Sequence, residues 1–206
     1  MSLPGIILPS TMTKAKSLGK VAVRSSALFL CDMQEKFRTT ISYFPEVIQV
    51  AQRLLKTADI LDVPVVVTEQ YPKGLGPTVS ELDVSQCPVF PKTTFSMLTP
   101  DVLEHMKKLT VKSVLLCGIE AHACVQQTVL DLLEKDYDVH VVVDAVSSRN
   151  MVDRMYALHR MRDAGAFMTT CESVLLQLLK DSAHPKFRDI QKLIMDQAPD
   201  SGLLSH

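Results

Sequence analysis

The residues of this chain that could carry out covalent chemistry are a cysteine, a carboxylate and a lysine. Cys124 lies six residues after Gly118, where a buried strand is predicted to give way to a helix. The helix dipole and free N–H groups at such a position acidify a thiol and can bind a developing oxyanion. A structural explanation stays open, because an isolated cysteine is more often a small buried hydrophobe than a nucleophile.

The other two candidates are Asp32 and Lys92. Asp32 ends the apolar run SALFLCD, where a carboxylate is costly to bury without a partner, although it could instead cap a turn. Lys92 lies in the predicted loop VFPKTTFSML, where most lysines are only solvated. If both met Cys124 at one sheet edge, the carboxylate could take the thiol proton and the ammonium could hold both anions. A cysteine, a carboxylate and a lysine at one site would together favour nucleophilic catalysis.

The order of the apolar runs predicts the elements that would bring these residues together. Strands are predicted at 26–32, 63–70, 112–120 and 138–146, with a fifth in FMTTCESV. Helices are predicted at 44–61, 100–110, 123–136 and 151–166. This alternation is typical of an α/β fold with an open, mainly parallel sheet, and continuously apolar strands need helices on both faces. We therefore expect a three-layer α/β/α domain with its site at the carboxyl ends of the strands.

The remaining cysteines have simpler interpretations. The five cysteines form an odd count without a CxxC pair, which fits neither a disulfide framework nor a zinc site and predicts a reducing compartment. Cys31, Cys117 and Cys171 lie in strand-like runs and are predicted core residues. Cys87, beside Pro88, is predicted to be a loop thiol.

Composition and charge limit the classes of partner. The chain has 206 residues, of which 47% are hydrophobic, and a formal net charge of -1. This predicts one medium globular domain without general attraction for nucleic acid or anionic membranes. The longest apolar runs fall far below the roughly 20 residues of a membrane-spanning helix, so we expect a soluble protein. GxGxxG and GxxxxGK[ST] motifs are both absent, so nucleotide phosphate binding has no support.

The two ends of the chain differ from its centre. The first 31 residues hold four basic residues and no acidic one. Residues 1–22 are therefore interpreted as a basic arm or an organelle presequence, 23–195 as the main domain, and 196–206 as a polar tail. We expect the protein to be cytoplasmic, and a nuclear location is also compatible with the sequence. The alternative is a mitochondrial location, directed by the basic N-terminus.

Three segments resemble one known family. LFLCDMQEKF (28–37), KTTFSM (92–97) and LLCGIEAHACV (115–125) are similar to the isochorismatase-like cysteine hydrolases, and the similarity runs from about residue 25 to 180. It implies a Rossmann-like topology, with Asp32 as general base, Lys92 as stabilising cation and Cys124 as the nucleophile of an acyl-enzyme. It also implies a cis peptide between Ile119 and Glu120, with the N–H groups of Glu120 and Cys124 as oxyanion hole.

Departures from the family pattern narrow the prediction. Nicotinamidases carry an Asp-x-His metal motif after the second strand, whereas this chain reads TEQYPKGLG, so we predict no metal and no cofactor. Members that cleave isochorismate do not rely on a cysteine nucleophile, so the family name does not indicate the substrate. His122 is more simply a side chain directed away from Cys124 than the base of a Cys–His dyad.

The resulting hypothesis is a metal-independent hydrolase of a small amide, carbamoyl or related acyl bond. Phe37, Tyr71 and Phe95 are candidate apolar walls of its substrate pocket, and Gln34 and Gln70 could position an amide or carbonyl group. For each of these five residues, a purely structural role is about equally plausible. The alternative function is a non-catalytic protein-interaction module that keeps the hydrolase fold.

The resemblance also implies a homo-oligomer. The apolar positions of the predicted helix 151–166, with Met151, Met155 and Met161, are candidates for the contact. Methionine-rich faces can equally be ordinary core.

Overall fold

The fold was taken from a computed structural model, which describes residues 17–203. Most of the predicted N-terminal arm and the last three residues of the predicted tail lie outside this range. Six parallel strands form one sheet in the order β3-β2-β1-β4-β5-β6. The strands are β1 Ser26–Cys31, β2 Val65–Gln70, β3 Val89–Lys92, β4 Ser113–Ile119, β5 Asp138–Ser147 and β6 Phe167–Thr169. This is the doubly wound order of Rossmann-like proteins, so the predicted α/β class is confirmed.

Within residues 17–203, five helices lie between strands and two more follow the last strand. The helices are α1 Phe44–Ile60, α2 Pro72–Leu75, α3 Pro100–Met106, α4 Gln126–Glu134, α5 Met151–Ala164, α6 Cys171–Leu179 and α7 Phe187–Ile194. Single 3-10 turns cover Val23–Ser25 and Glu35–Phe37, and a π-helical turn covers Ala121–Val125. The predicted helix 123–136 is therefore a π-helical turn followed by α4.

The sheet separates two hydrophobic cores, as the predicted three layers require. Along β1, Leu28 and Leu30 face a core shared with α1, α6 and α7. Phe29 and Cys31 face the opposite core, which is shared with α3, α4 and α5. This alternation follows from the two-residue period of a strand, and it places Cys31 in the same core as Cys124.

Strand β3 is a difference from the prediction, which had a loop at this position. Pro88 and Pro91 argue against a strand in the sequence, because proline cannot donate to a sheet ladder. In the structure β3 is an edge strand that pairs only with β2, where the missing N–H of Pro91 costs no ladder bond. Lys92 is therefore the last residue of a strand.

The segment FMTTCESV also differs from its prediction as one strand. Strand β6 ends at Thr169, and the side chain of Thr170 accepts a hydrogen bond from Ser173 N as the N-cap of α6. The backbone N–H of Cys171 donates to Asp144 Oδ1 at 3.0 Å. Cys171 is buried, so its prediction as a core residue holds within a helix instead of a strand.

Two features near the C-terminus were not predicted. Helix α7 packs Ile190 against the core on the α1 side, although half of its eight residues are polar. Ser201 in the predicted polar tail is buried, and its carbonyl oxygen accepts a hydrogen bond from the buried Arg154 Nη1 at 2.5 Å. Burial lowers the pKa of Arg154 to about 10. The division of the chain into domain and tail stays a prediction.

Between residues 17 and 203, no helix combines the length and the apolar character that crossing a bilayer demands.

Candidate active site

The three predicted catalytic residues converge at the carboxyl ends of the central strands. Asp32 directly follows β1, Lys92 ends β3, and Cys124 lies in the π-helical turn that follows β4. Strands β1 and β4 are neighbours whose connections run to opposite sides of the sheet. This reversal of strand order is where doubly wound folds bind their ligands.

Asp32 is a fully buried carboxylate with separate partners for its two oxygens. Lys92 Nζ lies 2.6 Å from Oδ2, and Thr68 Oγ1 donates to Oδ1 at 2.8 Å. The Cys31 Sγ lies 3.6 Å from Oδ2. The backbone of Asp32 is left-handed, with φ of 50°, a region that aspartate tolerates better than most residues. The site thus contains an ion pair that is shielded from water.

Lys92 is held by several acceptors besides Asp32. Its Nζ donates to Gln70 Oε1 at 2.7 Å, and to the carbonyl oxygens of Phe95 at 3.0 Å and Thr94 at 3.2 Å. Burial alone would lower the pKa of Lys92, but the neighbouring Cys31, Asp32 and Cys124 together raise this pKa above its usual value. The side chain is therefore held as an ammonium.

Two thiols face this ion pair. Cys124 is 7% exposed and Cys31 is completely buried. The two thiols lie in the same core, and Cys31 Sγ also contacts Asp32 Oδ2. Burial, followed by the effects of Cys124 and Asp32, raises the pKa of the Cys31 thiol well above its usual value. Cys124 is the thiol of the two that reaches the surface.

The backbone before Cys124 is brought close to β1. Gly118 pairs with Cys31 across the sheet, and its φ is 118°. A side chain at Gly118 would collide with the Cys31 carbonyl oxygen, so only glycine allows this approach. The Ile119–Glu120 peptide is cis, as the family resemblance implied.

The π-helical turn is secured by its own hydrogen bonds. The Glu120 carbonyl oxygen accepts from Ala123 N at 3.1 Å and Val125 N at 3.2 Å. Thr128 Oγ1 donates to the Cys124 carbonyl oxygen at 2.6 Å. Cys124 thus has a fixed backbone at the start of α4.

Glu120 and His122 have partners on the chain after β5. His122 Nδ1 lies 3.0 Å from Ser148 Oγ, and the Glu120 carboxylate accepts from Arg149 N at 3.3 Å. The contact with Ser148 is consistent with the simpler interpretation of His122, in which its ring bonds away from Cys124.

The two predicted pocket glutamines are bonded within the protein. Gln34 is completely buried, and its amide donates to the carbonyl oxygens of Gly76 at 2.7 Å and Gln70 at 3.0 Å. Its Oε1 accepts from Gln70 N at 2.7 Å. The Gln70 amide bridges Lys92 and the Thr93 carbonyl oxygen. These contacts favour the structural alternative, because they support the loop and the lysine and leave little bonding capacity for a substrate.

The three predicted aromatic walls lie in different environments. Phe37 is half-buried and packs against the core on the α1 side. Tyr71 and Phe95 are 55% and 54% exposed. Their neighbours Gln70 and Thr94 contact Lys92, so both rings lie on segments at the rim of the site.

Sequence reasoning missed the roles of Thr68 and Cys31. Both sit at the ends of apolar strands and are themselves compatible with burial, so neither stands out in the sequence. Thr68 could have been suspected from its position beside Glu69 at a strand end. In the range 17–203, no cluster of three or more His, Cys, Asp and Glu side chains is arranged to hold a metal ion.

Comparisons with known proteins identify the family of this chain. The Isochorismatase domain matches residues 26–173. Isochorismatase domain-containing protein 2 of Xenopus laevis is 58% identical over 195 residues, which cover 94% of this chain and 95% of that protein.

Two solved structures are also similar. The MAR1 ribonuclease of Caenorhabditis elegans is 51% identical with a TM-score of 0.87, covering 91% of this chain and 98% of that one. YcaC from Pseudomonas aeruginosa, described with hexane-2,5-diol and covalent acrylamide, is 25% identical with a TM-score of 0.80, covering 87% and 93%. The domain match and these identities together show that the chain belongs to the isochorismatase family.

Proposed function

We propose that this protein is a metal-independent cysteine hydrolase that cleaves a small amide, carbamoyl or related acyl bond. The buried Asp32–Lys92 ion pair beside the Cys124 thiol carries this proposal. A buried ion pair rarely increases stability over apolar residues, so its position at the switch point favours a chemical role. The description of YcaC with covalent acrylamide adds support, because acrylamide reacts with nucleophilic side chains.

In the first step, Asp32 accepts the proton of Cys124, and the thiolate attacks the carbonyl carbon of the substrate. The carbonyl oxygen becomes an oxyanion, which the backbone N–H groups of Glu120 and Cys124 bind. When the oxyanion collapses, the C–N bond breaks and the amine leaves with the proton from Asp32. A thioester with Cys124 remains.

In the second step, water loses a proton to Asp32 and attacks the thioester carbon. The C–S bond breaks, the acid product leaves, and the Cys124 sulfur recovers its proton. Lys92 keeps its own proton throughout and stabilises whichever neighbour is anionic. Thr68 holds Asp32 Oδ1, so that Oδ2 faces the thiols.

Site-resolved labelling with iodoacetamide at pH 7 tests the nucleophile. We expect Cys124 to label at least about tenfold faster than Cys87, because burial, Asp83 and Asp59 raise the pKa of the half-buried Cys87 thiol. Asp32→Asn and Lys92→Ala should each slow the labelling of Cys124. Labelling of Cys124 no faster than that of Cys87 would favour the non-catalytic interaction module.

Turnover is measured on a panel of small amides and carbamoyl compounds by release of acid and ammonia. Cys124→Ala should remove the activity completely, because no thioester can form. Activity that survives in Cys124→Ala would contradict the proposed mechanism.

RNA is a second candidate substrate, because the similar C. elegans structure is described as a ribonuclease. A single-stranded RNA with a fluorophore and quencher tests it directly. If the wild type cleaves this RNA and Cys124→Ala does not, RNA and not a small amide would be the substrate. Against this candidate, Lys92 is buried and committed to protein acceptors, so it is not free to bind a phosphate.

The chain is also proposed to form a homo-oligomer through the outer face of α5. Val152 and Tyr156 on this face are 66% and 73% exposed. Met155 is only partly buried, whereas Met161 is completely buried and belongs to the core rather than to the contact.

A cytoplasmic location is proposed on the cysteine content alone.

A further inference from the structure

The proposed mechanism leaves one buried thiol of the site without a role. Cys31 ends β1, and its side chain lies in the core that also contains Cys124. Its Sγ is 3.6 Å from Asp32 Oδ2, and interaction with the Cys124 thiol is one of the effects that raise the pKa of Cys31. Cys31 therefore contacts one of the two groups between which the proposed proton transfer takes place and lies in the same core as the other.

The other buried thiols have different acceptors. Cys117 Sγ donates to the Phe29 carbonyl oxygen at 3.6 Å, and Cys171 Sγ donates to the Val50 carbonyl oxygen at 3.9 Å. Both acceptors are neutral backbone groups. Cys31 instead faces a carboxylate and a second thiol, which makes its position unlike that of a core cysteine.

Cys31 is suited to donate a hydrogen bond rather than to ionise. The ionisable groups that face it are Asp32 at the end of its own strand, Lys92 at the end of β3, and Cys124 in the π-helical turn. Burial, Cys124 and Asp32 raise the pKa of its thiol, and the opposing effect of Lys92 is smaller. A neutral thiol has one S–H, so it donates to one acceptor at a time.

We propose that Cys31 is a positioning residue whose S–H follows the negative charge from Asp32 to Cys124 during the first step. This rests on the proposed function. Before the transfer, Asp32 is the anion and the S–H of Cys31 is directed to Oδ2. After the proton has moved from Cys124 to Asp32, rotation about the Cβ–Sγ bond directs the same S–H to the Cys124 thiolate. No covalent bond of Cys31 forms or breaks.

This arrangement gives the thiolate a donor that does not occupy the substrate side. Lys92 already bonds to Asp32 and three other acceptors, so its capacity to follow the charge is limited. Cys31 is completely buried and reaches Cys124 from inside the protein. The structure thus supplies a donor for each of the two charge states of the Asp32–Cys124 pair.

The test is the rate of iodoacetamide labelling of Cys124 between pH 5.5 and 9.5, resolved by peptide mass spectrometry. In Cys31→Ala, Asp32 keeps Thr68 and Lys92 as donors, whereas the Cys124 thiolate loses its donor inside the protein, so the thiolate is destabilised more. We therefore expect the pH of half-maximal rate to rise by about one unit and the rate at pH 7 to fall about tenfold. Cys31→Ser keeps a donor and should return the midpoint to within about half a unit of the wild type. Cys117→Ala, which removes a buried thiol with a neutral acceptor, should match the wild type.

An unchanged midpoint in Cys31→Ala would overturn the inference. Equal shifts in Cys31→Ala and Cys31→Ser would also overturn it, because packing and not hydrogen bonding would then be responsible. Thermal unfolding checks the fold of each variant, and Cys31→Val, which is closer in volume, replaces Cys31→Ala if the latter does not fold. The proposed function is tested separately, by comparing the labelling rates of Cys124 and Cys87 in the wild-type protein.

Discussion

Asp32 is the residue whose surroundings most constrain the chemistry of the site. Thr68 holds one of its oxygens, while the other lies between Lys92 and Cys31. A buried carboxylate without these partners would take up a proton or destabilise the fold. The residue-scale consequence is that Lys92 serves folding as well as the proposed chemistry.

Replacing Lys92 with methionine should therefore destabilise the protein strongly. The substitution leaves the Asp32 charge buried without its cation, and breaking a buried pair in this way costs about 3–5 kcal/mol. Urea unfolding gives the free energy. Lys107→Met is the matched control, because its pair with Glu104 is exposed and screened by water, so its loss should change the stability little.

Removing both charges of the buried pair should recover part of the lost stability. Asp32→Asn in the Lys92→Met background removes the unpaired anion, so the double variant should be more stable than Lys92→Met alone. A double variant that is no more stable would show that the charge is not the cause.

At the scale of elements, the site depends on how closely β4 and the π-helical turn approach β1. Gly118 has no side chain to separate β4 from Cys31, and the turn that follows places Cys124 opposite the end of β1. Thr128 fixes the turn to α4 through the Cys124 carbonyl oxygen. Cys124 is thus positioned by backbone contacts rather than by its own side chain.

Alanine at Gly118 should consequently be far more damaging than alanine at another left-handed glycine. At Gly118 the added Cβ meets the Cys31 backbone, and overpacking with left-handed strain costs about 3 kcal/mol or more. Gly165 ends α5 with φ of 112° and has open space around it, so its alanine variant should lose about 1 kcal/mol. Similar losses in urea unfolding would contradict the close approach.

At the scale of the whole molecule, helices cover both faces of the sheet. Some polar side chains of the strands are therefore buried. His140 in β5 is 2% exposed, and its ring stacks on Phe167 with 5.0 Å between the ring centroids. Among residues 17–203, His140 Nε2 has no hydrogen-bond partner. Burial lowers the pKa of His140, and Asp138 offsets this only in part.

The buried His140 should make folding sensitive to mild acid. Because its pKa is lowered in the folded state, the unfolded chain takes up the proton first as the pH falls below about 6.5. The contribution to stability is therefore complete above pH 6.5 or so and declines as the pH falls towards the folded-state pKa. Urea unfolding should give a lower free energy at pH 5.5 than at pH 7.5 because of this group.

The assignment to His140 is checked with two variants. His140→Phe should lose this part of the pH dependence, whereas His159→Gln, at an exposed position of α5, should keep it. An unchanged pH dependence in His140→Phe would place the titrating group elsewhere.

The exposed face of α5 is the proposed contact between subunits of the homo-oligomer. Sedimentation velocity should show the wild type as an oligomer, and Tyr156→Glu should shift it towards the monomer because a charge replaces a 73% exposed aromatic ring. Leu176→Glu is the control, since this exposed leucine lies on α6 in the opposite layer. A monomeric wild type, or an equal effect of both variants, would contradict the proposal.

The fold class and the approximate positions of most elements could be predicted from local sequence patterns. Buried parallel strands and amphipathic helices have local periods, so β1, β2, β4, β5 and α1 can be read from short windows. The types and order of Asp32, Lys92 and Cys124 were visible for the same reason, although their catalytic roles stay a prediction. Strand β3 and helix α7 could not be predicted, because an edge position and contacts with distant residues stabilise them.

Which polar groups contact each other became clear only from the three-dimensional structure. Gln34 is bonded to Gly76 and Gln70, so a residue that reads as a pocket amide supports a loop instead. Cys31 reads as an ordinary core residue, yet the pairing of β1 with β4 brings it to Asp32 and Cys124. Hydrogen bonds of this kind depend on strand register and on contacts between residues far apart in the chain. Local sequence patterns carry no information about either.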